Sequence, residues 1–286
     1  MITFSSNVAD GNINNAEAVI PGVTLNGSFY CARTEGIAAK KLGDSVYFRI
    51  YAKLSDGSYV YSQMANYSPK KYAYSVLNGN YDDDMKALVV AMLNYGSEAQ
   101  KYFSYNTDAL VNADMTAEQL ALVDAYREDM VSSVIKADSA KTGNFVNNGG
   151  FSKRYPSISF EGAFCINYFF TPAYTVDGNI TLYYWSAADY NSVSTLTTAN
   201  ATGSVVATAG SEYEAIVEGI AAKDLDGTVY VAAVYTSNGT TYCSGVLAYS
   251  IGAYCTDRVV GGSATMQGFA SATAVYGYYA KVYFSK

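Results

Sequence analysis

The chain has 286 residues and a net charge of −7, from 18 basic and 25 acidic side chains, a size that holds one large domain or two ordinary ones. Half of it is apolar, only 15% is charged, and there are 29 tyrosines but no histidine, so a real core is available while His-based triads, His metal ligands and His general bases are excluded. The acidic balance argues against non-specific binding to nucleic acid or to an anionic membrane, and no apolar run approaches the ~18 residues of a membrane span.

In chain order, Met1 leads directly into a strand-like Ile2-Thr3-Phe4. Residues 1–20 hold neither the basic start nor the apolar stretch of a secretory signal, and the expectation is a segment cut from a longer protein. From Val46, period-two alternation predicts a half-buried strand, with Val46, Phe48 and Ile50 on one face and Tyr47, Arg49, Tyr51 and Lys53 on the other. Asp56-Gly57 then predicts a type I′ hairpin, because Asp and Gly tolerate the positive φ that both turn residues need. Met85, Leu88, Met92, Tyr95, Ala99 and Phe103 form one helical stripe, and Asp82, Asp83 and Asp84 suit the positive end of that helix. Thr116-Ala117-Glu118-Gln119 reads as a capping box. Leu120, Val123, Tyr126, Met130, Val131 and Val134 continue at helical spacing, so a single linking helix is expected over about 116–137. Gly143 to Gly150 reads as a flexible joint. Ile158 to Phe160, Phe164 to Phe170 and Ile180 to Trp185 look like strands. Asn238-Gly239 is a second hairpin signal, and Met266, Phe269, Thr273, Tyr276, Ala280 and Phe284 form a second helical stripe.

The chain repeats itself. Glu35-Gly36-Ile37-Ala38-Ala39-Lys40 recurs as Glu218-Gly219-Ile220-Ala221-Ala222-Lys223, Tyr67-Ser68 as Tyr249-Ser250, and Tyr95-Gly96 with Tyr102-Phe103 as Tyr276-Gly277 with Tyr283-Phe284. Ile2-Thr3-Phe4 aligns with Ile180-Thr181-Leu182, which makes the first unit start partway through and leaves a sheet edge unpaired. The expected fold is mainly β with helices (α+β). It has two tandem Ig-like β-sandwich modules, each closed by one C-terminal helix: an N-terminally truncated module over 1–105, a helical linker over 106–150 and a complete module over 151–286.

The strings FEGAFCINYFFTPAYTVDGNITLYYWSAADY, EGIAAKDLDGTVYVAAVYTSNGTTYCSGVLAYSIGAYC, ATAVYGYYAKVYF and MLNYGSEAQKYFSYNTDALVNADMT resemble modules of large secreted and cell-surface proteins of anaerobic gut clostridia, including ruminococci. The similarity covers nearly all of the chain, and the helix endings NYG…AQKYF and YGYYAKVYF are its most specific marks. In that family the modules often accompany dockerins or leucine-rich repeats. The resemblance implies an extracellular or surface-attached setting within a larger multi-modular chain and a non-catalytic role, and it supplies no site residues.

The candidate ligand site lies on the strand ending at Trp185. Alternation puts Tyr183 and Trp185 on the face opposite Ile180 and Leu182, where an exposed Tyr–Trp pair could stack on a sugar while Asp189, Tyr190 and Asn191 supply hydrogen bonds. The competing reading is that Trp185 packs in the core. Glu161, Asp177, Asp189, Glu212, Glu214 and Glu218 are the carboxylates from which a glycosidase pair would have to come. Glu35 and Glu218 share one repeat position beside a glycine, which fits a turn better. Ser68-Pro69-Lys70-Lys71 matches S-x-x-K by letter, but its repeat partner Ser250-Ile251-Gly252-Ala253 has no lysine. Asp82 to Asp84 form no calcium loop, and Asp10-Gly11, Asp177-Gly178 and Asp226-Gly227 read as turns. Cys31, Cys165, Cys243 and Cys255 have neither a C-x-x-C nor a close pair and read as small buried hydrophobes. No catalytic constellation, metal or cofactor is expected. The favoured function is a non-catalytic module pair that binds polysaccharide or glycan at a bacterial surface. The alternative is a structural or adhesive spacer that engages a host or bacterial surface protein, and a glycoside hydrolase-type enzyme comes third.

Overall fold

The computed structural model describes residues 1–21, 24–26, 29–34, 36–160 and 162–286. It is a mixed α+β protein of antiparallel sheets and helices, divided into two compact units, Met1–Val123 and Asp124–Lys286.

The first unit contains β1 (Ile2–Phe4), β2 (Ala18–Val19), β3 (Thr24–Asn26), β4 (Phe29–Cys31), β5 (Val46–Arg49), β6 (Tyr51–Lys53), β7 (Tyr59–Tyr61) and β8 (Ala65–Tyr67). Its main sheet has the order β2-β1-β5-β8, while β3–β4 and β6–β7 form separate two-stranded ribbons. Two helices follow, α1 (Pro69–Leu77) and α2 (Asp83–Tyr102), and then a short α3 (Ala117–Leu120). The Asp82 side chain caps α2 by accepting from the Met85 amide at 2.8 Å, and Met85, Leu88, Tyr95 and Ala99 are buried as the stripe predicts.

The second unit contains β9 (Phe151–Ser159), β10 (Phe164–Pro172), β11 (Asp177–Trp185), α4 (Ala187–Ser192), β12 (Gly203–Val206), β13 (Thr208–Ala209), β14 (Tyr213–Ile220), β15 (Val229–Ser237), β16 (Thr240–Cys243), β17 (Leu247–Tyr249), α5 (Ile251–Gly261) and α6 (Ala264–Phe284). One sheet runs β13-β14-β10-β9; the other runs β12-β11-β15-β16, with β17 also on β15. Side chains alternate across each strand. Ile166, Tyr168, Phe170, Ala215 and Val217 are buried on one face of the first sheet, and Ile180, Leu182, Val231, Ala233 and Tyr235 on one face of the second. Phe151 joins the two sets, its ring 5.6 Å from Phe170 and 5.1 Å from Tyr235. The helices close one end, where Phe160 meets Phe269 edge-on at 4.8 Å.

Strand register matches the two units. Val46, Tyr47 and Phe48 pair with Tyr67, Asn66 and Ala65 just as Val229, Tyr230 and Val231 pair with Tyr249, Ala248 and Leu247. Phe4 lies opposite Tyr47, and Trp185 lies opposite Tyr230. Ile2-Thr3-Phe4 therefore corresponds to Tyr183-Tyr184-Trp185, a correction to the alignment with Ile180-Thr181-Leu182. A Phe–Trp match across a ladder is invisible to letter identity.

Three further expectations change. Each repeat ends in two helices rather than one, because Ser68 and Ser250 both cap an additional short helix, accepting from Lys71 N at 3.2 Å and Ala253 N at 3.0 Å. The first hairpin is a three-residue loop in which Leu54 N donates to Ser58 O at 2.9 Å and only Gly57 has positive φ, at 86°. The second has the expected two-residue turn, with Asn238 at φ 47° and Gly239 at 73°.

The single helix over 116–137 does not form. The capping box at Thr116 and Gln119 is present, but α3 stops at Leu120 and the rest is irregular apart from turns at Glu128–Met130 and Ser139–Lys141. Several backbone amides beyond Val123 bond to side chains far along the chain instead of to a carbonyl four residues back: Asp124 N donates to Tyr279 Oη at 3.0 Å, Ile135 N to Thr228 Oγ1 at 3.2 Å and Asp138 N to Tyr190 Oη at 2.6 Å. Of the apolar residues at helical spacing Met130 is buried, Val123, Tyr126, Val131 and Val134 are half-buried, and Leu120 is exposed. Gly143 to Gly150 is likewise packed in place: Phe145 is buried, and Asn148 bonds Cys243 N at 2.9 Å and Thr241 O at 3.0 Å.

Candidate functional site

The face carrying Tyr183 and Trp185 is opposite Ile180 and Leu182, as alternation requires, but it is covered. Trp185 has no exposed surface and packs with Phe145, Tyr190, Leu196, Tyr230, Ala232 and Cys243. Its Nε1 donates to Asn200 Oδ1 at 3.0 Å. Tyr183 is half-buried against Phe145 at 5.9 Å. Tyr190 lies flat on Tyr230, with centroids 3.6 Å apart. Asp189 belongs to the start of α4, where it accepts from Ser186 Oγ at 2.8 Å and from Thr202. Those two bonds, Thr202 first, hold its carboxyl below the usual range. Asn191 alone of the five is exposed. The proposed sugar platform is therefore a core, because residues 138–150 and α4 fold back over it.

The other expected positions also have structural partners. Ser68 is a helix cap, and Lys71 Nζ bonds Asn66. Asp177 opens β11 instead of forming the expected turn with Gly178, and its Oδ2 accepts at 2.6 Å from Asn238 N in the hairpin turn after the neighbouring strand. Asp226 accepts from Ser132 Oγ at 2.9 Å and Lys281 Nζ at 3.0 Å. Glu35 and Glu161 lie outside the described residues. Glu214 and Glu218 stand four residues apart on β14, about 13 Å along a strand, farther than the ~5–9.5 Å between glycosidase carboxyls. Among the described residues no cluster of metal-ligating side chains occurs, and no helix is long and apolar enough to cross a membrane. Cys243 and Cys255 are buried as expected, but Cys31 is exposed and Cys165 half-buried.

An aromatic surface does exist on the opposite side of the unit, on the outer face of the β13-β14-β10-β9 sheet. Residues that alternate away from the core here are Lys153, Tyr155, Ser157 and Ser159 on β9 and Cys165, Asn167, Phe169 and Thr171 on β10, all exposed or half-buried. Tyr155 is directly opposite Phe169, Phe169 opposite Glu214, and Glu214 opposite Thr208, so one row crosses four strands. The Tyr155 ring lies over Phe169 at 5.2 Å with planes 19° apart, and it remains 42% exposed. Its hydroxyl donates to Glu212, which also accepts from Thr171 Oγ1 at 3.0 Å and faces Lys153 Nζ at 3.9 Å. These contacts hold the Glu212 carboxyl below its ordinary range, the Tyr155 bond contributing most, and the same bond pushes the Tyr155 phenol upward. A ring pinned at its hydroxyl and stacked on a neighbour is a fixed, flat surface flanked by carboxylate and hydroxyl groups. The sequence signal for it is a phenylalanine set between the polar Asn167 and Thr171 on the outward face of its strand.

No protein-family model matches the chain, and no curated protein matches it. One solved structure, described as "Crystal structure of Br derivative BhCBM56", is similar over 36% of this chain and 99% of its own, with 14% identity and a TM-score of 0.22. That score is too low to establish a shared fold.

Proposed function

We propose that the chain is a pair of Ig-like β-sandwich modules from a larger secreted or surface-attached protein, and that it binds polysaccharide or glycan without catalysing its cleavage. The observation that carries this is the Tyr155–Phe169 pair: two stacked, near-parallel rings on a sheet face, one of them 42% exposed and anchored by Glu212. Sugars present flat apolar C–H faces, and an aromatic ring with few rotors to freeze offers contact area at low entropic cost. Ser157 and Glu214 flank the stacked pair on the same face, with Thr208 one strand beyond Glu214, as polar groups for sugar hydroxyls. The test is affinity electrophoresis through gels containing soluble polysaccharides. The wild type is retarded by at least one of them, and Tyr155→Ala migrates freely while remaining folded, its melting temperature only a few degrees lower.

A second reading, a spacer that takes a protein partner, is favoured by the edge of β14. β13 pairs only with Tyr213 and Glu214 of that strand, which leaves Ala215 to Ile220 with a strand on one side, β10. An extended segment could add itself there. Binding of a protein that survives Tyr155→Ala would favour this reading.

A further inference from the structure

Resting on the glycan reading, we propose that the ligand is an extended, uncharged polysaccharide chain that crosses the strands from Tyr155 and continues over the edge of β14 into a groove. The row Tyr155, Phe169, Glu214, Thr208 spans three strand spacings, about 14 Å. A hexose in a linear chain advances about as far as one strand spacing, so the row accommodates about three units. It does not end at a wall. Thr208, Glu214 and Ile216 also line a groove of about 420 Å³, whose other side is Tyr184, Val205 and Val206. Tyr184 and Glu218 are shared with an adjoining hollow of about 580 Å³ that reaches Ser186, Thr202 and Asp224. The groove opens because β13 is only two residues long, so among the described strands β14 beyond Glu214 pairs only with β10 and its other side stays open. The surface and the groove are one continuous path with a tyrosine at each end.

The charges along this path select the ligand. Glu212 anchors Tyr155, Glu214 stands at the lip, Glu218 lines the groove and Asp224 the adjoining hollow. The nearby cation on the open face, Lys153, is already beside Glu212 at 3.9 Å. A polymer bearing uronate or sulfate groups would meet like charge at each step, whereas hydroxyls of a neutral chain find acceptors.

The test is calorimetry of the full chain with malto-, cello-, laminari- and xylo-oligosaccharides of two to six units, with polygalacturonate as the acidic comparison. We expect one series to bind at least tenfold tighter at six units than at two, and polygalacturonate not to bind. Val206→Arg, at an exposed groove position, should lower six-unit affinity to the two-unit level and leave two-unit affinity and melting temperature unchanged. Equal affinity for two and six units overturns the extended path while leaving the aromatic surface in place. Tighter binding of polygalacturonate overturns the neutral selection. Failure of every oligosaccharide and polysaccharide to bind overturns this inference together with the glycan reading.

Discussion

Trp185 meets Phe145 edge to face, with ring centroids 5.1 Å apart and planes at 69°. Phe145 comes from the segment before β9, so this contact seals the outer face of the second sheet with chain that precedes the sheet itself. Because Trp185 is the chain's single tryptophan, its burial has an optical signature. Native emission should be blue-shifted and resistant to iodide quenching. Trp185→Ala should cost about 3–5 kcal/mol, read as a fall in the denaturation midpoint. Quenching of the native protein as efficient as that of free tryptophan would show the ring to be exposed.

Gly96 of α2 and Gly277 of α6 occupy the same repeat position against the turn that ends the EGIAAK motif. A Cβ on Gly96 would lie 2.8 Å from Leu42 Cδ1, 3.0 Å from Val111 Cγ1 and 3.2 Å from the Ala39 carbonyl oxygen. On Gly277 the nearest atoms are 3.1 and 3.2 Å away on Leu225, with the Ala222 carbonyl oxygen at 3.4 Å. Helix propensity favours alanine by ~1 kcal/mol, and overpacking opposes it by ~1–3 kcal/mol. Gly96→Ala should therefore be net destabilising by about 1 kcal/mol, and Gly277→Ala close to neutral, in chemical denaturation.

Burial pushes the Cys255 thiol up to about 12 and raises that of Cys243, while Cys31 is exposed. The thiolate is the reactive form. At about pH 8, Cys31 should be alkylated first and Cys255 only on unfolding. Mass mapping of the labelled peptides checks the order, and rapid labelling of Cys255 in the native protein would contradict it.

The Tyr155–Glu212 bond sets a pH window. The Glu212 pKa is depressed below its ordinary value of 4.5 in the folded protein, so its contribution is present above that value and is lost as pH falls through the depressed native pKa. The Tyr155 phenol is raised above 10.0 and stays protonated through neutral and mildly alkaline conditions. Glycan affinity should be flat from about pH 5 to 9 and should weaken only in stronger acid. A fall between pH 6 and 8 would mean that some other group controls the surface.

Much of the fold was legible in sequence. The repeat, the α2 stripe, the Asp82 cap and the Asn238-Gly239 turn all follow from local patterns that packing does not overrule, and so does the α6 stripe as far as Ala280, beyond which Phe284 is exposed. Face alternation along β11 was right as well. What alternation cannot say is which face a later or earlier segment will cover. Phe145 and Leu196 lie 40 and 11 residues from Trp185 along the chain, and nothing local in Ile180 to Trp185 records their approach. The helix over 116–137 failed for a related reason, since the amides of Asp124, Ile135 and Asp138 bond to distant side chains. The Tyr155–Phe169 surface was missed because it needs the register of two strands, and Tyr155 sits in a stretch with little apolar periodicity.

The central claim is that Tyr155 forms the ligand surface. Calorimetric titration of wild type and Tyr155→Ala with the polysaccharide that retards the wild type most strongly tests it directly. The account predicts loss of measurable binding in the variant, which still folds with a melting temperature only a few degrees below wild type, because losing the Phe169 stack and the Glu212 bond costs about 1 kcal/mol. Undiminished affinity in a folded Tyr155→Ala protein would contradict it.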